Sequence, residues 1–188
     1  MTDKRQIATA HWRRLDCEGS DRCTLWQAEQ GLMLLGHAHW RSDDEDTVLS
    51  YDLRCAPDGQ SLSADIAGEQ GGRRIELRLH RTGEGWLLND VLQPETGDCT
   101  DLDLSFTPAT NLLPIRRLSD AANDELRICA AWLQPDLDCV SRLDQIYTRL
   151  ADNRVRCASR GYGADLEVHG SGFVTGYPGH WHGWVDDG

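Results

Sequence analysis

Apolar and polar side chains alternate at every second position through most of this chain, and no other feature restricts its fold as much. In Thr47 to Cys55, Thr47, Leu49, Tyr51, Leu53 and Cys55 point one way while Val48, Ser50, Asp52 and Arg54 point the other. Ile75, Leu77 and Leu79 alternate with Arg74, Glu76, Arg78 and His80, and the pattern recurs in Leu62–Ala64–Ile66, Leu126–Ile128–Ala130–Trp132 and Ala164–Leu166–Val168. A period of two is that of a strand with one face on a core and one in water, the signature of antiparallel sheet. Between these runs lie turn signals at Pro57-Asp58-Gly59, Gly71-Gly72, Thr82 to Gly85, Glu95 to Asp98 and His169 to Gly172, where glycine and Asx residues supply the backbone angles that tight turns need. Many short strands joined this way make a mainly β, antiparallel meander. Because its edges would otherwise invite aggregation, such a sheet must curl, close or pair with another copy, which predicts a homodimer.

One segment follows a different period. Val140, Leu143, Ile146, Tyr147 and Leu150 fall at helical spacing behind Asp138, a residue suited to capping, so the periodicity favours a helix over 139–151. Its rival is a strand with Leu143 and Tyr147 on one face beside Gln145. A second helical position is 107–118, where Thr107 would cap and Pro108 suits a first turn, while Pro114 is expected to stop or kink the helix.

The chemistry concentrates just there. In Asp101-Leu102-Asp103-Leu104-Ser105-Phe106, strand periodicity puts both carboxylates and Ser105 on one face and Leu102, Leu104 and Phe106 on the other. Side chains two apart on a strand are about 7 Å apart, a separation suited to gripping adjacent sugar hydroxyls or flanking a reactive bond. Arg116 and Arg117 follow, and one guanidinium is expected to fix an aspartate of this stretch. Asn111, ahead of the arginine pair, is a turn former and a candidate contact. Seven Trp against two Phe provide flat apolar faces with a polar handle. Most fill the core; Trp181 with Tyr177, fixed by the Tyr177-Pro178-Gly179 turn, is the leading candidate for a site wall, and Trp86 comes next.

Composition excludes several classes. With 188 residues the chain makes one domain able to bury roughly 70% of its unfolded surface. Its 31 acidic and 19 basic residues give a net charge of −12, which repels phosphate backbones and argues against nucleic acid as a partner. The acidic runs Ser42 to Asp46 and Asp186 to Asp187 read as a solvated loop and a frayed terminus. No apolar run is long enough for a signal peptide or a membrane-spanning helix, so a cytoplasmic location is expected. Seven cysteines without a C-x-x-C pair argue against a disulfide framework and a zinc knuckle. His37 with His39, and His180 with His182, lack a third placed ligand, so no metal or other cofactor is expected. No nucleophile-elbow, phosphate-loop or dinucleotide pattern is present.

The run DLDLSFTPATNLLPIRRL from Asp101 to Leu118, with YPGHW at Tyr177 to Trp181, resembles the signature of the small bacterial glycolipid-binding family, from about Trp12 to Trp181. The family pattern carries a Glu soon after its first Trp, where this chain offers Glu18 or Asp21, and a further Trp where this chain has Gln60, Ser61 and Leu62. The resemblance implies a single domain over 1–188, core about 9–182, with a large curled sheet (a spiral β-roll) wrapped around one helix. It also implies a dimer, a remote similarity to lipoprotein-localisation factors, and an acidic pocket for glycolipid head groups. The expected function is therefore non-enzymatic binding of a glycolipid or related amphiphile in an apolar cavity whose acidic mouth is Asp101 and Asp103, with Asn111, Arg116, Arg117, Trp86, Tyr177 and Trp181 around it. The alternatives are a glycan- or head-group-processing enzyme using the two aspartates, and a purely structural β-rich module.

Overall fold

The computed structural model describes residues 4–151 and 153–187. Eight strands run as a meander from the N-terminus: β1 (Arg5–Arg14), β2 (Glu18–Ala28), β3 (Gly31–Ser42), β4 (Glu45–Cys55), β5 (Ser61–Gln70), β6 (Arg73–Thr82), β7 (Gly85–Leu88) and β8 (Val91–Gln93). Then come β9 (Asp101–Leu104), helix α1 (Leu112–Asp120), β10 (Glu125–Leu133), β11 (Val140–Arg149), β12 (Arg154–Ser159), β13 (Tyr162–Val168), β14 (Val174–Tyr177) and β15 (Trp181–Asp187). All fifteen strands form one unclosed sheet, ordered β8-β7-β6-β5-β4-β3-β2-β1-β15-β14-β13-β12-β11-β10-β9. The terminus expected to fray is held instead, since β15 pairs with β1 and Asp186 accepts from His11 at 2.9 Å; the side chain of Asp187 lies outside the described residues.

The alternation read from the sequence is seen in β4, β6 and β13, whose predicted inward residues are buried or half-buried. Leu62 departs from it. Cys55 pairs with Ser61 while Arg54 pairs with Ser63, so a bulge turns Leu62 outward and Ser61 inward. Two aromatic rings lie over glycines on the neighbouring strand. A Cβ on Gly36 would sit 2.0 Å from Tyr51 Cζ, and one on Gly183 would sit 2.3 Å from Trp12 Cδ1. Those glycines leave room for Tyr51 to reach into β2 and for the Trp12 indole to donate to the Val174 carbonyl at 2.6 Å.

Among the described residues the single α-helix lies at the second of the two candidate positions. Residues Val140–Arg149, expected to be helical, form β11, with Leu143, Gln145 and Tyr147 on one face. The helical spacing misled because Gln145 and the Tyr147 hydroxyl find buried partners, so polarity did not mark the exposed face. A 3-10 turn at Ala109–Asn111 leads into α1. Pro114 neither stops nor kinks it: as the third helical residue it lies in the first turn, where an N–H has no helical acceptor.

This helix explains the one exception to antiparallel pairing. Strand β9 runs parallel to β10, Asp101 opposite Ala130 and Asp103 opposite Trp132, and a parallel pair requires a crossover, which α1 supplies. Leu102 and Leu104 face the main core with Ala131, Leu133, Leu112 and Leu113, while Ile115 and Leu118 pack with Tyr147, Val155, Leu166 and Val174 in a second one. The sheet thus curls around α1, and β9 is covered on both faces. The wet aspartate face expected from the alternation is not wet: Asp101 is 2% exposed and paired with Arg117. The cysteine reading is corrected at the same strand, since Cys99 and Cys129, 30 residues apart, are joined as a disulfide. Nothing local in the sequence marks a pair brought together by the β9–β10 register. Cys23, Cys55 and Cys157 are buried free thiols.

A second buried carboxylate ties the meander to the crossover. Asp21 on β2 is 3% exposed; it accepts from the Tyr51 hydroxyl at 3.0 Å and from Thr107. Burial pushes its carboxyl up to about 7 against these hydrogen bonds. A folded pKa above the unfolded value of about 3.9 gives stability that is complete at low pH and is lost as pH rises through the folded value. The Asp21 contribution to unfolding free energy should accordingly fall by roughly 2 kcal/mol between pH 5 and pH 7, a slope that Asp21→Asn flattens in denaturant titrations. Removing the Asp101 partner has a different signature. Arg117→Ala strands a buried carboxylate and should cost about 3 to 5 kcal/mol, whereas Asp101→Leu with Arg117→Met recovers most of that loss in the same titrations.

Candidate functional site

The opposite face of β9 continues across β10 to β13 as one concave surface. Register places Asp103 beside Trp132, Ile128 opposite Gln145, Gln145 opposite Ser159 and Ser159 opposite Tyr162. The 107–111 segment closes one side of this surface with Thr107, Pro108 and Asn111, and the β14–β15 turn closes the other with Tyr177, His180 and Trp181. Between them lies a cavity of about 380 Å³, whose lining includes all of these side chains except Ile128, together with Leu104, Leu143 and Cys157.

Asp103 is its one carboxylate. The Gln145 amide donates to it at 2.9 Å, and burial raises its carboxyl to about 6, with hydrogen bonds from Gln145 and Thr110 opposing. Asn111, at the start of α1, accepts from the Tyr147 hydroxyl at 2.7 Å and donates to the Pro108 carbonyl at 3.2 Å, so its amide is rigid where it meets the cavity. Tyr177 and Tyr162 both pack edge-on against His180.

Arg14, at the end of β1, separates this cavity from a second one. Its guanidinium lies 5.0 Å from the Trp181 ring centre and 5.5 Å from that of Trp40, and it grips Asp16 with two bonds of 3.0 and 2.8 Å. Such a residue is held flat by ring faces and neutralised by its neighbour. Beyond it a cleft of about 560 Å³ is lined by Trp40, Phe106, Asp16, Asp43 and Glu45, and it shares Arg14, Ser105, Pro135 and His180 with the first. Trp40 and Phe106 are stacked there, 5.8 Å between centres.

Of the side chains singled out from the sequence, Asp103, Asn111, Tyr177 and Trp181 meet at the cavity. The others are placed elsewhere. Asp101 is held by Arg117 and by the Thr100 hydroxyl at 2.9 Å, and Arg116 donates to the Ser171 carbonyl at 3.0 Å. Trp86 is fully buried in the main core with its indole N–H on the Cys99 carbonyl. The expected pair of carboxylates at one mouth is thus split between a structural ion pair and a cavity wall. Trp132, Gln145, Tyr162 and Arg14 were not foreseen as site residues. Trp132 was legible as the inward end of an alternating strand, but its place beside Asp103 depends on a parallel register that local patterning does not encode. The paired histidines at 37 and 39 lie elsewhere, His37 on the Ser50 hydroxyl at 3.0 Å.

Residues 9–183 match the model of a protein family described as "Putative glycolipid-binding". A crystal structure of a DUF1089 family protein from Pseudomonas aeruginosa is similar, with a TM-score of 0.72 at 25% identity over 86% of this chain and 91% of that one. A β-barrel-like protein of domain of unknown function DUF1849 from Brucella abortus has a like fold, with a TM-score of 0.56 at 9% identity over 97% of each chain. Among curated proteins none matches the sequence. No helix among the described residues is long and apolar enough to cross a membrane. With the family model spanning the sheet from β1 to β15 and every residue of the cavity, the chain belongs to the family described as "Putative glycolipid-binding".

Proposed function

We propose that the Asp103 cavity binds the head group of a glycolipid or related amphiphile without transforming it. The observation that carries this reading is the convergence of one carboxylate and two fixed amides with Trp132, Tyr162, Tyr177 and Trp181 on a single cavity of about 380 Å³. That volume is within the range of about 300–1,000 Å³ common for small-molecule sites. Aromatic faces stack on the C–H faces of a sugar ring, and Asp103, Gln145 and Asn111 offer hydrogen bonds to its hydroxyls. The cleft beyond Arg14, walled by Trp40 and Phe106, gives an attached apolar portion somewhere to lie. Glycoside hydrolysis needs two carboxylates about the scissile bond, and Asp103 stands alone in the lining, so binding is favoured over turnover.

At the far end of the sheet, β8 exposes Val91 and Leu92 beside an unpaired edge, and a second copy of the chain is the partner we propose for it. Sedimentation at micromolar concentration should give a dimer; a species of only 21.1 kDa would remove that part of the reading. For the cavity, titration of tryptophan fluorescence with octyl glucoside should give saturable binding. Asp103→Asn and Trp181→Ala should each weaken it about tenfold or more, since a hydrogen bond to a charged group contributes roughly 1.5 to 3 kcal/mol. Melting of Asp103→Asn should be unchanged or higher, because the variant removes a buried charge. Binding that persists undiminished in both variants would place the ligand elsewhere.

A further inference from the structure

We infer that the head group this cavity selects carries a protonated amine, with the ammonium on Asp103 inside the aromatic walls. The inference rests on the binding reading above and goes beyond it by naming the charge of the ligand. Three observations lead to it.

The first is how two buried carboxylates and the half-buried Asp103 are compensated. Asp101 has the Arg117 guanidinium, and Asp21 has two hydroxyl donors. Asp103 has only neutral donors, the Gln145 amide and the Thr110 hydroxyl, and among the described residues it takes part in no ion pair. Burial opposes its charge, so the site is a carboxylate in want of a cation. The second is the wall around it. Trp132, Tyr162, Tyr177 and Trp181 line the same cavity, and the negative faces of aromatic rings attract ammonium groups. The third is that the protein's own nearby cation is already committed. Arg14 spends two guanidinium nitrogens on Asp16, and its faces lie against Trp40 and Trp181. It therefore cannot serve Asp103, and its charge is largely cancelled for an incoming cation. The net charge of −12 draws cations toward the surface rather than away.

A neutral sugar would fill the same space and leave Asp103 uncompensated. An amino sugar, or another head group with a primary amine, supplies both the charge and the donors. No bond is made or broken: the ammonium donates hydrogen bonds to the carboxylate and stays protonated.

The test compares matched probes at pH 7: octyl glucoside, its 2-amino-2-deoxy counterpart and the N-acetyl form of the latter. The wild-type protein should bind the amine at least about tenfold more tightly than the other two, as a charge-assisted hydrogen bond in a partly dry site implies. In Asp103→Asn the amine and hydroxyl probes should bind alike. The N-acetyl comparison uses the wild-type protein, so the inference stays testable whatever the variant does to folding. Equal binding of amine and hydroxyl probes by the wild type, with both weakened by Trp181→Ala, would overturn the inference and leave the binding reading standing. An amine preference that survives in Asp103→Asn would also overturn it. Failure of all three probes to bind would remove both.

Discussion

The parallel pairing of β9 with β10 is the constraint on which the rest of the structure depends. Every other neighbouring pair in the sheet is antiparallel and could be joined by a turn; this one has to be bridged from above, and α1 is the bridge. The helix arrives with two apolar faces, Leu112 and Leu113 toward the main core and Ile115 and Leu118 toward the second. A sheet that covers both must curl past it. The curl in turn roofs over the Asp101–Asp103 face, which would be solvated in a flat meander. Arg117, one helical turn into the crossover, then finds Asp101 in a dry setting where a guanidinium with a forked geometry is the suitable partner.

Asp21 and Asp101 are buried and Asp103 is half-buried, and they differ in what replaces water. Asp101 receives a full opposite charge, Asp21 receives hydroxyls from Tyr51 and Thr107, and Asp103 receives the Gln145 amide and the Thr110 hydroxyl without a cation. The poorest compensation of the three belongs to Asp103, which lines the cavity of about 380 Å³. Folding alone would favour replacing such a group by an apolar or neutral one, and the proposed binding role is what would offset that cost. The same cannot be said of Asp21, which is sealed behind Thr107 and acts as a clamp between β2, β4 and the crossover.

Much of the fold was legible in the sequence because period-two patterning survives wherever a strand has one wet face, as in β4, β6 and β13. It failed where burial was polar. Gln145 and Tyr147 are inward residues of β11 whose partners, Asp103 and Asn111, come from 42 and 36 residues away, and without knowledge of those partners the apolar positions fell into a helical spacing. It failed again at Leu62, where a bulge shifts the phase by one residue. Pro114 was misjudged because its position within the first helical turn, harmless there, depends on where the turn begins. For the site, the motif stretches supplied Asp103, Asn111, Tyr177 and Trp181. What they could not supply was the division of labour between Asp101 and Asp103, which adjacent alternate positions make look equivalent, nor the strands that complete the wall.

Arg14 shows why the completing residues carry no local signal. In the sequence it is one of two consecutive arginines at the end of a strand, beside Arg13. Its position follows from β1 pairing with β15, which sets Arg14 opposite Trp181, and from β2 and β3 carrying Trp40 to its other side. Flattened between two indoles and tethered to Asp16, it has little freedom to swing, so it acts as a fixed divider between the cavity of Asp103 and the cleft of Trp40 and Phe106. A ligand spanning both must pass beside a guanidinium whose charge is already matched and whose faces are covered. Such a divider excludes little by charge and much by shape, so under the proposed binding reading any discrimination by charge falls to Asp103 on the far wall.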